Sequence, residues 1–485
     1  MDDLSSEPEK SIVHTAPPEI LIEIFHHCIQ SRGGINVRDS TGEERLGSTI
    51  YLPAVVILSQ VCWSWRRIVE TQSSLWTQVQ LLLFTERSRD PALFIEWLGR
   101  SGGLPLDITI KASSYFSSKR LDDFVDALIS VSPRWRSLRF EPWILSSHIQ
   151  RLLDDPEVRT PLLEGVVLSC NHFATFPSLS VIEKAPRLVK LKIVVAVLDG
   201  FSPAFSRVTH LYHVFRPGHP LDILRILEPC HSLQGCSLCL RDLSDDPSRE
   251  IVVDVIEFPR LHDLSIEFYG FGCPQFFDGL KLPSLTKLTI QHRTAYDRSL
   301  RLDLERRISP LRYLTRLYSR SSFELLELNL LATTGASSKD LLDFLRQTPS
   351  LQTLHLKNCR LETDVLFRAL RVSKSMQDED IIVPCLTKLR YIQSDELDLE
   401  EDANHTPREL GDPDEQKASI SSMVASRFDP KEYTCGGSEP EDDWQGSWPV
   451  RRLRGGLFVS RRVLDSGDID RLNVMKEHGM PFEIV

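Results

Sequence analysis

Residues 349–356 read PSLQTLHL, an L-x-x-L-x-L motif that begins two residues after a proline. Three other segments share this spelling, at 186–193, 259–266 and 283–290. Looser copies begin at six further positions: Trp135, Leu163, Val208, Leu233, Leu325 and Leu386. A motif that recurs with constant internal spacing predicts one structural unit used many times.

The spacing within each copy predicts a short β-strand. The last two apolar positions are two residues apart and therefore point to the same face of a strand, whereas the first apolar position packs in the preceding turn. Helical patterns separate the copies, for example at 121–129, 224–227 and 341–345. Such connections predict a curved parallel sheet with helices on its convex side, an α/β fold. The longest interval contains 303–318, which predicts an extra helix.

The array resembles leucine-rich repeats, whose units are roughly 20 to 29 residues long. Most intervals between copies fall in that range. Regular repeats place Asn or Cys three residues after the last leucine, and only Asn171 and Cys359 do so here. Residues 84–392 are therefore interpreted as an irregular leucine-rich-repeat-like solenoid, and residues 451–485 as the carboxy-terminal cap that closes its core.

Length and composition indicate a folded, water-soluble chain. With 485 residues it exceeds a single compact core, and 41% hydrophobic and 26% charged residues are ordinary values for globular proteins. The start, MDDLSSEPEK, has no apolar stretch, and no run suits a membrane helix. We therefore expect a cytoplasmic or nuclear protein with no membrane partner, whose ten cysteines are reduced.

The negative charge is concentrated in one segment. The net charge is −11, but residues 395–443 hold 16 acidic against four basic residues, which leaves 53 basic and 52 acidic residues elsewhere. A chain without a basic excess is not expected to bind nucleic acid. Residues 1–14 and most of an acidic insert at 393–450 are predicted to be disordered.

The amino-terminal region carries more apolar surface than it can bury alone. Pro17 and Pro18 suit a first helical turn, and a broad apolar face follows over 20–29. A second apolar pattern runs over 53–69 and is followed by Leu75 and Trp76. So few residues cannot enclose this much apolar side-chain area, which indicates a partner.

These residues resemble the F-box family. Residues 17–25 (PPEILIEIF) are similar to its first motif, and residues 58–66 (LSQVCWSWR) with Leu75-Trp76 to its second. An F-box before leucine-rich repeats is an arrangement abundant in mushroom-forming fungi. The resemblance implies that residues 15–83 form a three-helix F-box-like domain with a polar insert at 31–50.

The resemblance further implies that this domain binds a Skp-family adaptor, which joins a cullin. Leu21, Phe25, Val61 and Trp65 are the first contacts to test. The full set of expected adaptor contacts is Pro17, Pro18, Ile20, Leu21, Ile24, Phe25, Leu58, Val61, Cys62 and Trp65. The alternative is that residues 15–83 are the amino-terminal cap of the solenoid, with their tryptophans in its core.

Catalytic and metal motifs are interpreted as structural. Residues 99–103 (GRSGG) match the G-x-S-x-G elbow of hydrolases, but a helical pattern precedes the serine and a strand follows it, which favours a helix-ending turn. Cys236 and Cys239 should point to opposite faces of one strand. No catalytic residue, metal or cofactor is therefore predicted.

The resulting functional hypothesis is a substrate-recognition subunit of a Skp-cullin-F-box ubiquitin ligase, and not an enzyme. The alternatives are a scaffold or sensor that binds an adaptor without a ligase and, more distantly, a hydrolase. A mildly basic strand face favours an acidic or phosphorylated client. The client contacts expected on that face are Arg139, Lys192, Tyr212, Thr289, Asn329, His355, Lys357 and Arg390.

Overall fold

The structure is a computed structural model. It describes residues 16–31, 35–36, 51–52, 54–83, 91–112, 118–140, 151–175, 180–197, 203–215, 220–241, 255–269, 274–293, 310–332, 337–359, 361–372, 380–393, 423–424, 427, 457–459, 469, 472–473 and 482–484. The chain divides into two compact units, 1–205 and 206–485. Among the described residues, no helix combines the length and apolar character needed to cross a bilayer.

The first unit begins with helices. They are α1 (Pro18–Ser31), α2 (Ala54–Val61) and α3 (Trp63–Thr71), followed by a 3₁₀ turn at Ser73–Trp76. The carbonyl of Pro17 accepts the first bonds of α1, from the amides of Ile20 and Leu21. Between α1 and α2, strands β1 (Ile35–Asn36) and β2 (Tyr51–Leu52) form a short antiparallel pair that brings the ends of the polar insert together.

Because this pairing holds the ends of the insert together, we expect the chain to fold without residues 37–50. Replacing residues 37–50 by an Asn-Gly turn should lower the free energy of unfolding by less than about 1 kcal/mol, because the turn matches a two-residue hairpin and closure entropy varies slowly with loop length. Urea denaturation of the full chain measures the change. A loss above about 2 kcal/mol would show that the insert packs on the helices.

The rest of the first unit is a parallel sheet with intervening helices. Its strands, in spatial order, are β3 (Gln78–Leu83), β4 (Leu106–Ala112), β5 (Trp135–Phe140), β6 (Gly165–Thr175) and β7 (Lys190–Val197). Its helices include α4 (Pro91–Arg100), α5 (Ser118–Ser130) and the short α6 (Ser180–Glu183), and residues 151–154 are helical as well. Residues 78–83, expected at the end of the helical domain, belong to the sheet because β3 pairs in parallel with β4.

The second unit continues the same pattern. The strands of its parallel sheet, in spatial order, are β8 (His210–Phe215), β9 (Gly235–Arg241), β11 (Asp263–Tyr269), β13 (Lys287–Arg293), β14 (Glu327–Leu331), β15 (Thr353–Lys357), β16 (Lys388–Ile392), β17 (Leu457–Val459) and β18 (Phe482–Ile484). Strands β10 (Ile256–Glu257) and β12 (Leu280–Lys281) form a separate parallel pair. The helices are α7 (Pro220–Leu227), α8 (Pro310–Ser321), α9 (Ser338–Gln347) and α10 (Thr363–Leu370).

Within each unit the spatial order of the sheet's strands is their order along the chain, and neighbouring strands run parallel. This confirms the predicted α/β class with a large parallel sheet, and the order is that of a solenoid-like fold. Each of the ten motif copies supplies one strand. The extra helix is α8, which begins at Pro310; residues 303–309 lie outside the described residues.

One face of each strand is buried beneath the helices. Side chains along β14, β15 and β16 alternate between buried and partly or fully exposed. The inward residue Tyr391 lies 5.4 Å, between ring centroids, from Phe367 on α10. The thiol of Cys359 donates to the carbonyl of Leu330 in the preceding repeat, at 3.3 Å. The apolar core therefore lies between the sheet and its helices, and a buried thiol links neighbouring repeats.

Part of the acidic insert is packed in this unit. Met423, Val424 and Arg427 are buried, so these three positions of the insert are packed. Residues 1–14 and the remainder of 394–450 lie outside the described residues. Within 451–485, β17 and β18 extend the parallel sheet.

Candidate interaction surfaces

The helical group of the first unit exposes part of its apolar surface. Ile20 and Ile24, one turn apart on α1, are 53% and 45% exposed, and Val61 at the end of α2 is 56% exposed. Pro17 and Pro18 are exposed as well. These five of the expected adaptor contacts are therefore accessible to a partner.

Other expected contacts face inward. Leu21, Phe25 and Leu58 are buried in a cluster with Val69 and Trp76. In this structure these three side chains are therefore not accessible at the surface, because the cluster that they form packs the helices together. The broad apolar face of α1 serves two purposes, since one edge packs inside and the other remains at the surface.

Cys62 and Trp65 are neither fully exposed nor fully buried. Both are half-buried, and Cys62 precedes the first residue of α3. The Trp65 ring lies 4.7 Å from the Phe25 ring, between centroids, so only part of the indole remains available to a partner.

Sequence reasoning missed Trp63. Its side chain is 70% exposed, the most exposed of the large apolar side chains in the described residues. The Arg67 guanidinium lies 5.4 Å from the Trp63 ring centroid, one turn along α3. The signal was the pair of tryptophans two residues apart, because positions i and i+2 of a helix cannot both face the same core.

A tryptophan pair connects the helical group to the first repeat helix. Trp76 and Trp97 pack edge to face at 5.2 Å between ring centroids, and the Trp97 Nε1 donates to the Trp76 carbonyl at 3.2 Å. The Trp76 Nε1 donates to the carbonyl of Val69 on α3 at 2.7 Å. The helices are therefore joined to α4 through Trp76.

The second surface is the sheet face opposite the helices, here called the outer face. In the first unit, Arg139 and Lys192 are exposed and lie in one row of the strand register, separated by Val167. In the second unit, the central row contains most of the expected client contacts. It runs Tyr212, Ser237, Ser265, Thr289, Asn329, His355 and Arg390.

On β11 to β14 the polar side chains of the outer face bind one another. Lys287 Nζ lies 3.8 Å from an Asp263 carboxylate oxygen and 3.5 Å from one of Glu327. The Asn329 amide donates to Glu327 at 2.8 Å and to Thr289 at 3.1 Å. Burial raises the pKa of Asp263, while Lys287 opposes that rise. Thr289 and Asn329 thus belong to an internal network.

Strands β15 and β16 carry a different charge. The outward positions are Thr353, His355 and Lys357 on β15, and Lys388, Arg390 and Ile392 on β16. They include three cations and no carboxylate. Burial lowers the pKa of His355, and the charges of Arg390 and Lys357 lower it further, which favours the neutral imidazole.

The hydrolase-like pentapeptide has the geometry of a helix-ending turn. Helix α4 precedes Ser101, Gly102 has a φ of +57°, and β4 follows. Ser101 is fully buried, and its hydroxyl donates to the Leu98 carbonyl at 2.6 Å. An elbow nucleophile needs the reverse order and an exposed hydroxyl.

The cysteines of β9 occupy different faces. Cys236 pairs in register with the inward Leu264, whereas Cys239 pairs with Glu267 on the outer face. Burial raises the pKa of Cys236, and it raises the pKa of Cys230 to about 12, so both thiols stay protonated at neutral pH. Cys236 and Cys239 therefore do not converge on one ion.

No known family model matches the sequence, and no curated protein matches it at a significant level. The function is therefore inferred from two surfaces, the exposed apolar side chains of the helical group and the outer face of the sheet.

Proposed function

We propose that this chain is the substrate-recognition subunit of a Skp-cullin-F-box ubiquitin ligase. In this proposal α1 to α3 form an F-box-like domain that binds a Skp-family adaptor, the adaptor joins a cullin, and an irregular leucine-rich-repeat array holds a client protein. The observation that carries the proposal is the exposed apolar set of Ile20, Ile24, Val61 and Trp63 on helices that already have a packed core.

The exposure of these four apolar side chains supports the proposal that a partner protein covers them. Single exposed apolar side chains are ordinary, but four large ones on three short helices are the kind of surface that proteins use for association. Aromatic anchors contribute most to such interfaces, and Trp63 is the largest side chain of the set. An adaptor would remove this surface from water.

The second part of the proposal needs no catalytic side chain. A subunit that holds a client beside a loaded ubiquitin carrier raises the effective concentration of the client and fixes its orientation. The outer face offers polar and charged side chains along successive strands for such binding.

Co-purification tests the proposal. The tagged full chain is co-expressed with a Skp-family adaptor and a cullin, and the complexes are separated by size-exclusion chromatography. Recovery of both partners in one peak is the expected result. Recovery of the adaptor alone would instead support a scaffold or sensor.

A second candidate role is an amino-terminal cap for the repeats, without any adaptor. The contact of Trp76 with Trp97 favours this role, because it ties the helices to the first repeat. Failure to recover either partner, from a chain that remains folded, would leave the cap as the function of these helices.

A further inference from the structure

The outer face of the second unit is divided by charge. Among the outward positions on β11, β13 and β14 whose side chains the structure describes, there are three carboxylates, Asp263, Glu267 and Glu327, and one cation, Lys287. The corresponding positions on β15 and β16 include the cations Lys357, Lys388 and Arg390 without a carboxylate. A ligand that crossed this face would therefore meet opposite charges at its two halves.

Lys287 and Lys357 differ in whether described carboxylates already bind them. The network around Lys287 uses the carboxylates of Asp263 and Glu327 internally. Lys357, by contrast, is exposed, and no described residue forms an ion pair with it. A ligand at β15 and β16 would therefore find an exposed cation that no described carboxylate binds.

The spacing of these groups defines the ligand. Alternate residues of a strand lie about 6.6 Å apart, and neighbouring strands about 4.8 Å apart. Lys388 and Arg390 have the first spacing, His355 pairs with Arg390 across the second, and Lys357 lies diagonal to Arg390. An extended peptide with carboxylates at alternate positions repeats the same distance. Arg390 can also hold one carboxylate through two parallel bonds.

We propose that the outer face of β15 and β16, called the basic subsite, binds a short extended acidic segment of the client protein. The carboxylates contact Lys357, Lys388 and Arg390. This inference rests on the proposed client-binding function of the repeats and names the chemistry of the client.

The charge division also disfavours a nucleic acid. A polynucleotide long enough to cover the face would bring phosphates against Asp263, Glu267 and Glu327, which repel it. The next residue of the central row beyond Phe458 is Glu483, two strands from Arg390. The cationic area therefore suits a few charged residues rather than a long polyanion.

Fluorescence anisotropy with the full chain tests the basic subsite. The probe is a labelled peptide of about ten residues that alternates Glu with Ser, and the control peptide has Gln in place of Glu. Binding of the Glu peptide that weakens with salt is expected, together with a loss of about fivefold in affinity for Lys357→Ala and for Arg390→Ala.

Lys287→Ala is the matched control. It removes the same charge from the same face, but two carboxylates already neutralise Lys287, and the residue lies two strands from β15. At physiological salt a charge about 10 Å away is largely screened, so an affinity within about twofold of the wild-type value is expected. Equal losses for Lys287→Ala and Lys357→Ala would overturn the subsite. Melting curves verify that each variant is folded.

Two further probes separate other ligands. Binding of a phosphoserine peptide without any binding of the Glu peptide would replace the carboxylate ligand by a phosphate one. Tighter binding of single-stranded oligothymidine, with the same sensitivity to Arg390→Ala, would assign the surface to nucleic acid. Both outcomes overturn the proposal. Because no adaptor is present, the result is independent of adaptor capture.

Discussion

Replacing Arg427 by Ala is expected to lower the free energy of unfolding of the second unit by about 3 kcal/mol or more. The Arg427 side chain is 1% exposed, and its guanidinium donates to three backbone carbonyls. Those bonds reach Leu370 at 2.8 Å, Val383 at 3.0 Å and Ile382 at 2.6 Å. Alanine leaves the three carbonyls without these donors and leaves a cavity as well.

The guanidinium at this position links three parts of the chain. Leu370 is the last residue of α10, whose final carbonyls have no partner within the helix. Ile382 and Val383 lie in the turn before β16, and Val383 has a φ of +48°. Burial lowers the pKa of Arg427 to about 10, so the group remains charged at neutral pH.

Two variants give the measurement its controls. Arg427→Lys keeps the charge but replaces a planar fork by one ammonium, so a loss of about half that of Arg427→Ala is expected. Arg346→Ala removes an exposed arginine whose Nη1 lies 2.7 Å from Asp343, and should cost less than about 0.5 kcal/mol. Urea denaturation compares the three. An Arg427→Ala chain as stable as Arg346→Ala would contradict the anchoring role.

Sequence reasoning could not find this anchor, because it classed the whole segment by its charge. Residues 395–443 carry a large acidic excess, and that average conceals one arginine that binds carbonyls rather than carboxylates. The local signal was the apolar pair Met423-Val424, four and three residues before Arg427, which places all three on one side of a helical turn.

The repeat strands could be predicted because their signal is strictly local. Two leucines at positions such as 354 and 356 face the core only if the backbone between them is extended. Strand β3 lacked this signal, since residues 78–83 read QVQLLL without the preceding motif. Its place in the sheet depends on pairing with β4, a contact distant in the sequence.

The candidate surfaces were harder to predict than the strands. Periodicity marks which residues of α1 are apolar, but not which edge of the apolar face packs inside. Phe25 and Ile24 are adjacent in the sequence, yet one is buried and the other is exposed. Similarly, Lys287 pairs with the carboxylates of Asp263 and Glu327, which offset its charge. This pairing depends on the register of three strands from separate repeats.

The apolar face of α1 has one buried edge and one exposed edge. Substitutions at the exposed edge should therefore weaken adaptor binding without unfolding the chain. Ile20→Asp combined with Ile24→Asp should weaken adaptor capture about 100-fold or more, because anchors at an interface commonly contribute about 2 kcal/mol each and a carboxylate adds a desolvation cost. Both side chains are about half-exposed, so the melting temperature should remain that of the wild-type chain. Capture is measured by titrating the adaptor onto the immobilised full chain.

Two controls make this result specific to the helical surface. Ile95→Asp introduces one carboxylate, against two in the double variant, at a side chain that is 55% exposed on α4, and should change neither capture nor melting. Phe25→Ala removes a fully buried ring and should cost about 3 to 5 kcal/mol, so that capture is lost only together with the fold. Undiminished capture by the Ile20/Ile24 double variant would remove the helices from the adaptor interface. An equal loss with Ile95→Asp would mean that charge alone, rather than contact at α1, reduces binding.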